Sequence, residues 1–173
     1  MAETKDSAAR LQAKANVEFA RTHFNNGRAE RAIEFADKAL EADPTYLYAH
    51  VIKAAVLRGL GKPEETIIIC DDVIAHDPSF ALAYSIKGAA LQSLGRLKEA
   101  EVAFEKARSI EPTNALVHYN FACFWATEGY PDACREHLAR ALELEPAFKT
   151  RAAVDPDLAL LRDEGWFQEL VAL

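Results

Sequence analysis

Five histidines (His23, His50, His76, His118 and His137) and three cysteines (Cys70, Cys123 and Cys134) are the side chains here best suited to ligate a metal or to act as base or nucleophile. A catalytic zinc site of the helical kind needs two histidines flanking a glutamate at i, i+4. A structural zinc site needs paired Cys-x-x-Cys spacings, and a phosphate site needs a glycine-rich loop ahead of a helix. None of these spacings occurs in the chain. The cysteines are odd in number and widely separated, which gives neither a ligand set nor a disulfide framework. They read as reduced thiols serving as small hydrophobes. No convergent set of polar groups can be assembled, so the expectation is a non-catalytic protein without metal or cofactor.

The regular spacing lies in the backbone punctuation instead. Prolines at 44, 78, 112 and 146 are each 34 apart, and so are glycines at 27, 61, 95 and 129. Such self-similarity is the signature of a helical repeat array. The clearest copy runs from Ala81 to Pro112: two amphipathic helices joined at Gly95 and closed by a proline. Small residues (Gly88, Ala100, Ala107) fall where the helices approach, and Tyr84, Leu91, Leu97 and Phe104 fill the space around them.

The period and these residue choices resemble the tetratricopeptide repeat (TPR), whose 34-residue pattern wants small residues at positions 8, 20 and 27 and proline at 32. Position 8 is Ala20, Ala54, Gly88 and Ala122 in turn; position 20 is Ala32, Thr66, Ala100 and Cys134; position 27 is Ala39, Val73, Ala107 and Ala141. The resemblance implies an all-α, right-handed TPR superhelix, an α-solenoid of helix-turn-helix pairs. It divides a single domain, 1–173, into repeats 13–46, 47–80, 81–114 and 115–148 with a C-terminal cap at 149–173. It also implies protein–protein interaction as the work of the fold. His50 and His118 share position 4 two repeats apart, too far to hold one ion, and His23 takes the aromatic position 11 as a packed ring.

Composition agrees with a soluble chain: 173 residues, 50% hydrophobic and 27% charged. A net charge of −7 argues against nucleic acid as partner and against a cationic membrane-surface helix. No apolar run approaches a membrane span, and the first residues lack the apolar core of a secretory signal, so a cytoplasmic protein is expected.

The pattern predicts a first helix from Ala8 to Asn25 with Ser7 as its N-cap, longer than a standard repeat helix, and a second from Ala29 to Ala42. The run Thr66 to Cys70 is more apolar than one helical face needs. Either both faces of that helix are packed in mid-stack, or the convex side carries a second apolar contact. After Pro146 a fifth repeat fails because Pro156 stands at its position 8. Instead, Asp155–Pro156 reads as N-cap and first residue of a short helix to Arg162, with Gly165 and the Trp166, Phe167, Leu170, Val171 stripe after it. The segments HYNFACFWA and VDPDLALLRDEGWFQEL resemble the end segment of a class of bacterial TPR proteins, which suggests a bacterial source.

By the same resemblance, the first helix of each repeat lines a concave groove through positions 2, 5, 6, 9 and 12. The expected partner-binding groove is Arg21, Phe24, Tyr48, Ile52, Arg58, Leu82, Ile86, Leu116, Tyr119 and Asn120. Its apolar members would take an apolar peptide or amphipathic helix of another protein, while Arg21, Arg58 and Asn120 orient it. The same patch could instead be filled by the N-terminal extension or the cap, or close against a second copy in a self-associating scaffold. The dicarboxylate clamp of heat-shock co-chaperones is not matched, since its positions hold Val17, Arg21, Ile52, Leu82 and Ile86. One repeat further on they hold Val51, Ala55, Ile86, Leu116 and Asn120. An apolar groove is closer in character to TPR secretion chaperones and assembly scaffolds. Acidic residues of the second helices, Glu30 to Glu105, form a solvated convex face or one that docks a basic partner.

Overall fold

A computed structural model describes residues 2–172, and among them every regular element is helical. Eight helices form four pairs: α1 (Ala2–Asn25) with α2 (Ala29–Ala42), α3 (Leu47–Gly59) with α4 (Pro63–His76), α5 (Ala81–Ser93) with α6 (Leu97–Ile110), and α7 (Ala115–Thr127) with α8 (Pro131–Leu144). Then follow α9 (Phe148–Val154), a 3-10 helix (Pro156–Leu161) and α10 (Gly165–Val171). The helix starting at Ala2 runs through Ser7, so Ser7 is not the N-cap expected there.

Each pair turns on the glycine of the 34-residue period. Gly27, Gly61, Gly95 and Gly129 have φ of +70°, +75°, +71° and +80°. The glycine N–H donates three residues back and the next N–H five residues back, as in Gly95 to Gln92 and Arg96 to Leu91 at 2.8 and 2.9 Å. This double bond pattern satisfies carbonyls that a helix C-terminus leaves open, and it requires a left-handed residue. A methyl added at Gly95 would meet nothing within 4 Å, so only the backbone opposes a side chain there. Gly95→Ala is expected to cost about 1–2 kcal/mol through the left-handed conformation alone. Urea unfolding of the two proteins side by side measures it, and equal midpoints would contradict this account.

The chain divides into two compact units, Met1–Pro78 and Ser79–Leu173, with the boundary at a repeat-closing proline. In the first unit alanines let the helices approach: Ala13, Ala20, Ala36, Ala39 and Ala49 are all fully buried, with Val17 and Ile52 beside them. The His23 ring stacks on Phe35 with centroids 5.2 Å apart, as the packed ring anticipated for position 11. Arg10 ties the long first helix to the first repeat's end, 2.8 Å from Asp43 and 4.8 Å above the Tyr46 ring. The Thr45 hydroxyl, bonded to Asp43 at 2.7 Å, holds that carboxyl below its ordinary range. Thr66, where the repeat usually takes alanine, is fully buried and gives its hydroxyl proton to backbone carbonyls of Ala54 and Lys62, at 3.1 and 3.0 Å. The isoleucine run of α4 is not packed on both faces: Ile68 is 62% exposed, with Ile67 and Ile69 half-buried.

In the second unit the small residue Gly88 faces the largest fully buried side chain of its pair. A Cβ at Gly88 would lie 3.0 Å from the Phe104 ring and 3.1 Å from the Ala100 carbonyl oxygen. Phe104 stacks in turn on Phe121 at 5.2 Å and tilts against Phe124 at 5.2 Å. Asn114 caps α7, its side-chain oxygen accepting from the N–H groups of Leu116 and Val117.

Candidate functional site

Burial along the first helices follows their rotation. Position 5 is Val17, Val51, Ser85 and Tyr119, and none is more than 1% exposed. In the first unit this position points into the core with Ile52, which is itself buried. In the second, Ser85 accepts a hydrogen bond from the Asn120 amide at 3.0 Å, pinning α7 to α5. The Gln92 amide adds bonds to Thr127 and Glu128 at 2.6 and 2.9 Å. Leu82 and Ile86 are buried as well. Of the ten residues expected in the groove, the structure places Ile52, Leu82, Ile86 and Tyr119 inside. Phe24, Tyr48, Arg58, Leu116 and Asn120 are half-buried, and Arg21 is exposed. Arg21 is paired with Glu18 at 2.6 Å.

The open strip is therefore narrower than the sequence suggested. In the first unit it consists of exposed Lys14, Glu18 and Arg21 on α1 and half-buried Tyr48, Ala55 and Arg58 on α3. In the second it consists of half-buried Ala89 and Gln92 on α5 and Leu116 and Asn120 on α7.

The lower part of α7 is covered. Tyr119, Cys123 and Ala126 share one apolar cluster with Leu158 and Leu161 of the 3-10 helix, Ala152 of α9 and Phe167 of α10. The sequence foresaw Asp155 as an N-cap, and its Oδ1 does accept from the Asp157 N–H at 3.1 Å. Its second task was not foreseen. Oδ2 accepts from the Tyr119 hydroxyl at 2.8 Å, while Arg151 lies 3.5 Å from the same oxygen and 4.4 Å above the Tyr119 ring. Burial, with Cys123 and Asp155 adding, pushes the Tyr119 phenol well above its ordinary range. So the cap returns onto the first helix of repeat four, one of the alternatives the sequence left open for this patch.

The Cys123 thiol and the carboxylates of Asp155 and Asp157 lie within 4.8 Å of one another. Both oxygens of Asp155 are engaged in seating the cap, and burial drives the Cys123 thiol far up, so it stays protonated. Burial likewise pushes the Cys134 thiol up to about 12. All three cysteines are buried and unbridged.

The position-4 histidines have a role that spacing alone did not reveal. His50 Nε2 donates to the Pro44 carbonyl at 2.9 Å and His118 Nε2 to the Pro112 carbonyl at 3.0 Å. Each thus satisfies a carbonyl at the end of the preceding repeat. The recurrence of histidine six residues after the closing proline was the available signal.

Comparison with known proteins bears on what this arrangement serves. The model of the family described as the Psidin N-terminal TPR repeats region matches residues 22–146. Among solved structures, TTC0263, a thermophilic TPR protein of Thermus thermophilus, superposes with a TM-score of 0.70 at 20% identity, over 92% of this chain and 86% of that one. MamA of Desulfovibrio magneticus RS-1 gives 0.54 at 24% identity, over 78% and 76%. The second TPR of Spaghetti (RPAP3), solved bound to the HSP90 peptide SRMEEVD, gives 0.55 at 28% identity, over 63% and 99%. No curated protein sequence matches the chain. None of the described helices is long and apolar enough to cross a membrane.

Proposed function

The chain belongs to the TPR family matched by the Psidin N-terminal repeats region, and on that premise we propose that it holds an apolar peptide or amphipathic helix of a partner protein against its first helices. The family is a non-catalytic protein-interaction fold. The observation that carries the finer reading is the pattern of half-open apolar side chains beside polar ones on those helices. Tyr48 stands with Arg58 on α3, and Leu116 with Asn120 on α7. Aromatic and aliphatic anchors of this kind, flanked by groups that orient a ligand, suit a peptide with alternating apolar and polar residues.

The second TPR of Spaghetti was solved with the HSP90 peptide SRMEEVD, whose last residue is acidic. The clamp positions for such a carboxylate hold Val17, Arg21, Ile52, Leu82 and Ile86 here, of which only Arg21 is exposed. An apolar ligand is accordingly favoured over an acidic C-terminus.

The test is selection of peptides from a displayed library against the whole chain, with affinities measured by fluorescence anisotropy. The enriched peptides are expected to carry aliphatic or aromatic anchors; Tyr48→Ala should weaken those held by the first unit and Leu116→Ala those held by the second, each on the order of tenfold, or about 1.4 kcal/mol. Enrichment of acidic C-termini whose binding depends on Arg21 would overturn this reading in favour of a carboxylate clamp. Concentration-dependent mass in sedimentation, lost in the same two variants, would replace it with a self-associating scaffold.

A further inference from the structure

In the last repeat His118 on α7 and His137 on α8 face each other, with their Nδ1 atoms 3.2 Å apart. The bonding around them fixes which nitrogens carry protons. A carbonyl can only accept, so His118 Nε2, at 3.0 Å from the Pro112 oxygen, is protonated. In the neutral ring His118 Nδ1 is then a bare lone pair, and His137 Nδ1–H must be the donor to it. His118 is 7% exposed, and His137 is half-buried with its ring stacked 4.4 Å from Phe121.

We propose that this histidine pair is a proton-released latch that joins the two helices of the last repeat and opens on mild acidification. The latched geometry has room for one added proton at most. A proton on His137 Nε2 leaves the inter-ring bond in place but charges a half-buried ring. A further proton on His118 Nδ1 would set two N–H groups against each other across 3.2 Å. Separated rings in water each take a proton at about pH 6.5. Opening therefore takes up protons, and the linkage has one sign. The neutral pair stabilises the closed repeat above that pH, and the stabilisation falls as pH drops through it.

Burial, and then the neighbouring His118, hold His137 below its ordinary range. The other charges acting on it are Glu136 on its own helix and Arg108 and Glu105 on α6. The last two are paired at 2.6 Å and largely offset each other. The neighbouring residue on α7 is Tyr119, which bonds the cap through Asp155. Release of α7 from α8 therefore reaches the seat of the cap as well.

The test uses the full chain with nitrogen-15-labelled histidine and amide hydrogen exchange. At neutral pH, NMR is expected to show His118 as the Nε2–H tautomer and His137 as the Nδ1–H tautomer. Between pH 7.5 and 5.5 the opening equilibrium of α7 and α8 should rise about tenfold for one proton taken up and about a hundredfold for two. His137→Asn, which keeps an N–H near the donor position but cannot titrate, should lose about tenfold of that rise. The proposal is overturned if both rings are Nε2–H tautomers, or if the opening equilibrium of α7 and α8, taken from exchange rates divided by the intrinsic amide rate at each pH, does not change over this range. Full retention of the acid response in His137→Asn would overturn it too. The tautomer measurement is made on the unaltered chain, so it decides the matter even if the variant does not fold.

Discussion

Phe104→Ala is expected to remove about 3–5 kcal/mol from the stability of the second unit, as deletion of a fully buried aromatic ring does. Phe104 is 0% exposed, stacks on Phe121 and tilts against Phe124, so its loss opens a cavity between two consecutive repeats. The complementary experiment is more informative. Position 8 is alanine in repeats one, two and four but Gly88 in repeat three, and position 24 is Ala36, Cys70, Phe104 and Leu138. Glycine thus stands opposite the one phenylalanine, and the clearance of 3.0 Å explains why. Gly88→Ala improves helix propensity by about 1 kcal/mol, yet its methyl presses on a ring held by two others and on the Ala100 carbonyl. It should be destabilising with Phe104 in place and clearly less so once Phe104 is leucine, when only the Ala100 carbonyl still crowds the methyl. A double-mutant cycle by chemical denaturation measures this, and strictly additive effects would show that the two side chains do not share the space.

Release of the cap is the second large effect. Leu158 and Phe167 are almost fully buried against α7 and α8. Leu158→Asp places an unpaired carboxylate in that cluster and should cost several kcal/mol, on the order of the whole stability of a small domain. The local readout is chemical. Cys123 is sealed beneath the cap at 9% exposure and its thiol is held protonated. In native buffer it should resist thiol reagents in the wild type and react in Leu158→Asp, located by peptide mass mapping. Circular dichroism shows whether the repeats stay helical while this happens. Continued protection of Cys123 in the variant would mean that the cap does not seal α7.

Most helix ends and turns were legible in the sequence because they are local events, although α1 runs back past Ser7, where its N-cap was expected. A glycine with φ near +70°, a proline at the first turn of α4 and α8, and the Asp155 cap each depend on a few neighbouring residues. The binding face was less legible because burial of a side chain depends on how its helix is rotated against the next one. Ile52, Ile86 and Tyr119 have the residue types of an exposed apolar trough, yet each is turned inward or covered. The hint available was at position 5, where valine, valine, serine and tyrosine carry no charge in any repeat. The return of the cap onto Tyr119 joins residues 36 apart. No periodicity in the sequence encodes that contact. The same holds for Asn120, whose amide serves Ser85 in the preceding repeat.

The order of cap and repeat has a consequence during synthesis. The cluster around Tyr119, Cys123 and Leu138 is completed by Leu158, Leu161 and Phe167, which leave the ribosome after the helices they cover. At about 5–20 residues per second, α7 and α8 spend a second or more with that face bare. Chains released with an end between residues 145 and 157 would display it indefinitely. They are the products from which general chaperones and quality-control proteases have most to recognise, whereas released chains that extend past Phe167 would hide it.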